Sequence, residues 1–351
     1  MVQAAAQADQ ADSLDRGALA LRQVVVLSDG IAGHDRSSEG IVLALSRLGP
    51  VNTQWVTIKE RKSRSRRLAR FHAAFGPWSG QPEHFAEFDG GVPSDADFVV
   101  STGPATAATN IALAKALKAS NIYYGFPKWP VLGITVLLSP LPHSSRNVVR
   151  YARPSIFDAD SVPEPRPFDR NKPWMITVLF GGDSKHYSYS DNDLICLTKT
   201  CLDVANSGQK IHMKFFDSRR TNQQQFIRFA EQLRSNDHIE VYFYRDGGLG
   251  FNQEAFQSDV VIVTADSMSM ISEAIAAGRP TFVAASEHYE PPSRDERELR
   301  QLADAGYIKR GTFSDIDLSV LSSLPVPKSN LGSHALARIL QERGFGMRSG
   351  H

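Results

Sequence analysis

The chain lacks several features that would place it in a class at once. Only two of its 351 residues are cysteine, Cys196 and Cys201, and they do not form a CxxC pair. That argues against a disulfide framework or a cysteine zinc site and fits a reducing compartment. Charge of one sign is lacking as well. The formal net charge is +1, so no global field favours nucleic acid as a partner. No apolar run approaches the roughly 20 residues that a spanning helix needs. Residues 1–20 are rich in Ala, Gln and Asp with no apolar segment, so they read as a disordered lead-in rather than a secretory signal, and the expected location is the cytoplasm. The Walker A pattern GxxxxGK[ST] and the GxGxxG fingerprint are both missing. There is no internal repeat.

What the chain does have is alternation of strand and helix. QVVVLS at Gln23–Ser28 reads as a buried strand, followed by a glycine-containing turn and a helix over Ser37–Leu48 that stops at Gly49-Pro50. Strands are expected at Asn52–Lys59, Asp97–Ser101, Asn121–Gly125, Ile134–Leu138 and Asn147–Val149, with an alanine-rich helix from Gly103 to Ala119. The stretch 153–173 holds five prolines and no periodicity, and reads as an interdomain linker. A second set follows, with strands at Trp174–Phe180, Ile211–Phe216, Ile239–Tyr244 and from Val260, and helices between them. The spacing therefore predicts an α/β protein. It has two Rossmann-like, doubly wound parallel-sheet domains, 21–152 and 174–330, facing a cleft, and a final segment 331–351 that returns towards the first domain.

Ligands of open α/β sheets bind at the carboxyl ends of the strands, and three stretches there carry candidate chemistry. VTADSMSMISEAIAAGRPTFV predicts strand, turn, short helix, Gly-Arg-Pro break and strand. Asp266, Ser269 and Glu273 fall at i, i+3 and i+7, on one helix face, beside Thr264, Ala265, Ser267 and Met268. LFGGDSKHY ends a strand in Gly181-Gly182, then Asp183, Ser184 and Lys185. Glycines let a phosphate approach main-chain N–H groups, and a lysine adds charge. SDGIAGHD places Asp29, Gly30, Gly33, His34 and Asp35 at the mouth of the first strand. An imidazole is the natural general base near neutral pH, and Asp29 or Asp35 could orient it.

A fourth stretch, KERKSRSRRLAR at 59–70, has seven basic residues in twelve and is followed by Phe71, Phe75 and Trp78. Arg64, Arg66, Arg67 and Trp78 suit an anionic membrane surface or a lipid-phosphate acceptor, though a solvated, partly disordered loop gives the same pattern. Two DxD patterns, Asp95–Asp97 and Asp158–Asp160, sit before a strand and in the linker. Both read as solvated charge, and no metal site is expected.

LSDGIAGHDRSSEG, LFGGDSKHY and the 263–283 block together resemble the mitochondrial-fission "elongated mitochondria" family, over most of Val24–Ile308. More distantly, the layout is similar to nucleotide-sugar glycosyltransferases of the two-Rossmann-domain (GT-B) type. That resemblance implies a donor diphosphate at Gly181-Gly182, a ribose held by Glu273 and an acceptor domain containing Gly33-His34. It also implies transfer without a metal. The function it implies is sugar transfer from a nucleotide-sugar co-substrate, with no other cofactor, to a lipid or glycan acceptor of the cell envelope, with peripheral contact at the anionic inner face of the membrane. The fission family implies an alternative, a non-catalytic adaptor that recruits a membrane-remodelling GTPase. A sugar epimerase or dehydrogenase built on GxGxxG and Tyr-x-x-x-Lys is disfavoured, because Gly125 and Pro127 interrupt the one match, Tyr124–Lys128.

Overall fold

A computed structural model describes residues 20–61, 65–127, 131–183, 187–247, 254–327 and 332–345. The chain divides into two compact units. Unit 1 is Met1–Leu138, His143–Val149 and His334–His351, and unit 2 is Ser139–Pro142 and Arg150–Ser333.

In unit 1 the elements run β1 (Arg22–Ser28), α1 (Ala32–Ser46), β2 (Val51–Glu60), α2 (Arg66–Phe75), β3 (Ala86–Phe88), β4 (Phe98–Thr102), α3 (Ala107–Leu117), β5 (Ser120–Tyr124), β6 (Val136–Ser139) and β7 (Val148–Arg150). The sheet order is β3-β2-β1-β4-β5-β6-β7. β1 is central, and Val24, Val25, Val26 and Leu27 are all buried. A continuous apolar run is what a strand covered on both faces requires. Val25 and Leu27 join one buried cluster with Val99 and Leu113, while Ile111, Tyr123 and Leu137 belong to another. β3 pairs antiparallel on β2, so the expectation of a purely parallel sheet needs correcting at that edge. The C-terminal segment of the chain packs here, with the Phe345 and Phe98 rings 5.4 Å apart.

Unit 2 holds β8 (Trp174–Leu179), α4 (Asp191–Ala205), β9 (Ile211–Phe216), α5 (Gln223–Arg234), β10 (Ile239–Tyr242), α6 (Tyr244–Gly247), β11 (Val260–Thr264), α7 (Met268–Ala276), β12 (Thr281–Ala285), α8 (Ser293–Asp304), β13 (Lys309–Thr312), α9 (Leu318–Ser322) and the start of α10 (Ser333–Leu340). The order β10-β9-β8-β11-β12-β13 is parallel at every strand pair. A capping box starts α4. Ser190 Oγ accepts from Asp193 N, and the Asp193 carboxylate accepts from Ser190 N at 2.8 Å.

The stretch read as a linker is an ordered strap on unit 2. Phe157 and Val162 enter the core, with the Phe157 and Phe256 rings 4.7 Å apart. Arg166 grips Asp259 through two nitrogens, at 2.9 and 2.7 Å. Arg279, buried, donates to the carbonyls of Ala277, Ser258 and Pro163. Prolines broke the periodicity without loosening the chain, because side chains from β11 and its flanks satisfy the strap's polar groups. The reading of the DxD patterns as solvated charge holds at Asp95, which is exposed, and is corrected at Asp158 and Asp97. Asp158 is buried and accepts from Ser333 N and Oγ at the start of α10. Asp97 accepts from Arg22 and from Gln23 N.

Candidate functional site

Each sheet has one place where the chain reverses its direction of travel, and each candidate cluster sits there. In unit 1 that place is between β1 and β4, and in unit 2 between β8 and β11. The loops leave in opposite directions at such a point and open a crevice at the carboxyl ends.

In unit 1, α1 starts five residues earlier than its periodicity predicts, at Ala32, so His34 stands in its first turn. Asp29 leaves the end of β1, and its carboxylate oxygens lie 3.0 and 2.9 Å from His34 Nδ1. The Asp29 side chain is almost enclosed, whereas His34 keeps a quarter of its surface. Asp29 therefore accepts a proton-bearing Nδ1 and fixes the ring, which leaves Nε2 for a substrate. Asp29, and not Asp35, is the orienting carboxylate. Room for the ring comes from across the crevice. Gly103, after β4, has φ +93°, and a Cβ there would occupy the imidazole. Gly30, at φ +75°, turns the chain and donates its N–H to Ser28 Oγ at 3.0 Å. Gly33 lies inside α1, where its carbonyl accepts from Ser37 Oγ.

In unit 2 the two predicted donor segments touch. Gly181 N donates to Thr264 Oγ1 at 2.8 Å, and Thr264 Oγ1 lies 2.7 Å from Asp266 Oδ1. Tyr189 OH donates to the same oxygen at 2.6 Å, and Arg220 Nη2 holds Asp266 Oδ2 at 2.7 Å. The Asp266 side chain is fully enclosed while its residue as a whole is half-buried, so what it exposes is main chain. Burial pushes the Asp266 carboxyl upward, against the pull of Arg220, Tyr189 and Thr264. Tyr189 is raised for the same reason, burial first and the Asp266 charge second. Asp266 is thus a strut between two loops.

Two details of the glycine turn differ from the expectation that its N–H groups face a ligand. Gly181 N is committed to Thr264, and Asp183 N donates to the Arg220 carbonyl at 3.2 Å. The cause is that Gly182 continues the β8–β9 pairing as a parallel bridge with Arg220. At φ +88°, a Cβ on Gly182 would lie 2.6 Å from Thr221 N, so only glycine permits the bridge. Ser184 and Lys185 lie outside the described residues.

Other polar groups border the turn. Arg220, about a third exposed, also donates to the Asp183 carbonyl at 3.3 Å. The N–H groups of Met268 and Ser269 open α7, and first-turn N–H groups have no partner within their helix. Ser267 precedes them without capping by its side chain. Glu273 is buried one turn further on. Reading the sequence missed Arg220. Its signal was there, in the pair Arg219-Arg220 just past the carboxyl end of a predicted strand. Beside the turn, Ala265, Val283, Ala285, Tyr289, Pro291, Arg310 and Gly311 line a hollow of about 220 Å³. Burial raises the Tyr289 hydroxyl to about 12.

Of the basic stretch, Arg66 binds Glu60 through Nε and Nη2 at 2.8 and 2.5 Å, Arg67 is exposed, and Arg64 lies outside the described residues. Arg70 is buried over the Tyr123 ring at 5.5 Å, and burial lowers its pKa. The expected loop is in its second half the helix α2. Trp78, partly exposed, stacks on His84 at 5.0 Å. Among the described residues there is no cluster of three metal-ligating side chains, and no helix is long and apolar enough to cross a membrane.

The fold is GT-B-like, with two Rossmann-like units. A Staphylococcus aureus MnaA structure with UDP superposes with a TM-score of 0.53 at 12% identity, over 91% of this chain and 95% of that one. The UDP-GlcNAc 2-epimerase of Methanocaldococcus jannaschii gives 0.51 at 12%, over 93% and 100%. That of Neisseria meningitidis bound to UDP-GlcNAc gives 0.50 at 13%, over 92% and 99%. A family model described as mitochondrial fission ELM1 matches residues 32–324, and the chain belongs to that family. An uncharacterised protein of Rickettsia prowazekii is 29% identical over 111 residues, a match that spans 30% of this chain and 30% of that protein. These likenesses correct one argument. Absence of GxGxxG does not disfavour every sugar epimerase, because epimerases also occur on this fold.

Proposed function

We propose that the protein is a metal-independent glycosyltransferase that moves a sugar from a nucleotide-sugar donor to a lipid or glycan acceptor of the cell envelope, on the cytoplasmic side. The observation that carries this reading is the β8–β11 crevice, where Arg220 links the glycine turn, through the Asp183 carbonyl, to Asp266 two residues before α7. In this reading Arg220 and the Met268 and Ser269 N–H groups hold the diphosphate, Glu273 takes the ribose hydroxyls and the hollow beside Tyr289 takes the base. Unit 1 supplies the proton chemistry. His34 Nε2 removes the acceptor hydroxyl proton, the oxygen bonds to the anomeric carbon, and the bond from that carbon to the diphosphate breaks. The charge that develops on the leaving diphosphate falls on Arg220 and the helix amides, which do the work a cation would otherwise do.

A thermal-shift panel of UDP, GDP, ADP and CMP tests the class. A ligand well above its dissociation constant raises the melting temperature. UDP is the expected hit, given that it is the ligand in the S. aureus neighbour. Glu273→Ala should abolish the shift while the protein stays folded. Silence across the panel would favour the adaptor reading. Conversion of a UDP-sugar to its epimer without an acceptor would replace transfer by epimerisation.

A further inference from the structure

Among the described residues of unit 1, four of the eight exposed large apolar side chains lie on one helix, α2, or in the turn directly after it. Leu68, Phe71 and Phe75 of α2 are 56%, 41% and 59% exposed. They stand at i, i+3 and i+7, so they form a single outward stripe. Trp78 continues it in the following turn, 38% exposed. The opposite face is fixed in the unit by Ala73, Ala74 and Arg70, all buried. A helix held that firmly on one side, yet presenting three large apolar groups on the other, is not explained by the packing of its own unit.

We propose that α2 is the seat by which unit 1 rests on an anionic lipid surface, and that the acceptor is a lipid-anchored molecule in that surface. The charge around the stripe selects this occupant. The chain as a whole is near neutral, at +1, but the twelve residues 59–70 carry seven cations against one acid, with Arg70 on the buried face and Arg66 paired with Glu60. Lys59, Arg61 and Arg67 are exposed at the same end of the helix. Apolar side chains flanked by cations match an acyl boundary beneath anionic headgroups, as in helices that lie in the plane of a membrane. The stripe also begins next to the proposed chemistry. α2 starts just past the end of β2, which runs parallel to β1, so it begins at the same carboxyl-end rim of the sheet that carries Asp29. The acceptor assignment rests on the transferase reading; the seat itself does not.

The test is co-sedimentation of the full chain with vesicles. We expect binding to phosphatidylcholine containing about 30 mol% phosphatidylglycerol, little binding to phosphatidylcholine alone, and loss of binding at about 0.5 M salt. The double variant Phe71→Ser/Phe75→Ser alters only exposed side chains and should weaken the partition by about tenfold or more. Arg67→Glu should weaken it on anionic vesicles alone. Both variants should keep the nucleotide thermal shift of the parent, which shows that they are folded. No vesicle binding, equal binding to neutral vesicles, or a double variant that binds like the parent overturns the seat. So does self-association of the parent that the double variant abolishes, because the stripe would then face a second copy. A nucleotide shift without vesicle binding sinks the seat and leaves the donor reading standing, and vesicle binding without a shift does the reverse.

Discussion

The two crevices are built alike and equipped differently. Both lie at the point where a parallel sheet reverses its winding, both use a glycine with positive φ, and both hold an enclosed aspartate against a basic side chain. At β1–β4 the base is an imidazole that can give up or take a proton. At β8–β11 it is a guanidinium that cannot, backed by a tyrosine and a threonine hydroxyl. The same geometry therefore supports proton transfer in one place and fixed positive charge in the other. The lesson is that one crevice geometry can present a titratable base in one place and a fixed charge in the other.

The most severe way to break this pairing is to remove the proton carrier. His34→Gln should reduce turnover by about 10²–10⁴-fold while the UDP thermal shift is unchanged. If both fall together, the two crevices do not have separate tasks. Gly103→Ala probes the same side without touching a polar group. Its Cβ would displace the imidazole, and the φ of +93° adds strain of about 1–2 kcal/mol. Turnover should drop nearly as far as in His34→Gln, again with nucleotide binding kept.

On the other side, Arg220→Met should weaken nucleotide binding by about 10–100-fold, from the loss of a charge-assisted contact. It should also destabilise the fold by about 1–3 kcal/mol, because the enclosed Asp266 loses its counter-ion; the partial exposure of Arg220 keeps this below the cost of breaking a fully buried pair. Adding Asp266→Asn sharpens the test. Chemical denaturation should show most of the stability restored, while calorimetry shows affinity still low. Restored affinity would mean that Arg220 only holds the loop.

The smallest effect concerns Glu296, which Arg310 holds below the usual carboxylate range, chiefly by a hydrogen bond. A carboxyl lowered in the folded state stabilises the protein above its unfolded pKa, and that contribution is lost as pH falls through the folded value. Arg310→Met should therefore cost about 0.5 kcal/mol or less at pH 7, the pair being surface-exposed, and nothing at strongly acid pH. Denaturation at the two pH values checks it.

Much of this was legible in the sequence because the signals were local. Apolar runs fixed β1, β8, β9 and β11 to within a residue or two, and the 263–283 block placed the β11–α7 turn. The His34–Asp29 pairing was also within reach, since both residues leave the same strand. What could not be read is what one segment does to another. The space that Gly103 leaves for His34 spans 69 positions of chain, and the bridge that takes up the Asp183 N–H depends on Arg220. Likewise α2 looked like a loop because its exposed face carries both charge and aromatic rings, and its buried face is mostly alanine. The proline-rich strap carried no periodic signal, because its order comes from Arg166, Arg279 and Asp158 making bonds to distant residues.

That strap sets where the molecule can be cut. A fragment trimmed to begin at Trp174 would strip Arg166 from Asp259, the Pro163 carbonyl from Arg279 and Phe157 from Phe256, leaving a buried aspartate without its guanidinium and a buried arginine with one carbonyl fewer. An autonomous rear half must start near Arg150, some two dozen positions before its first strand.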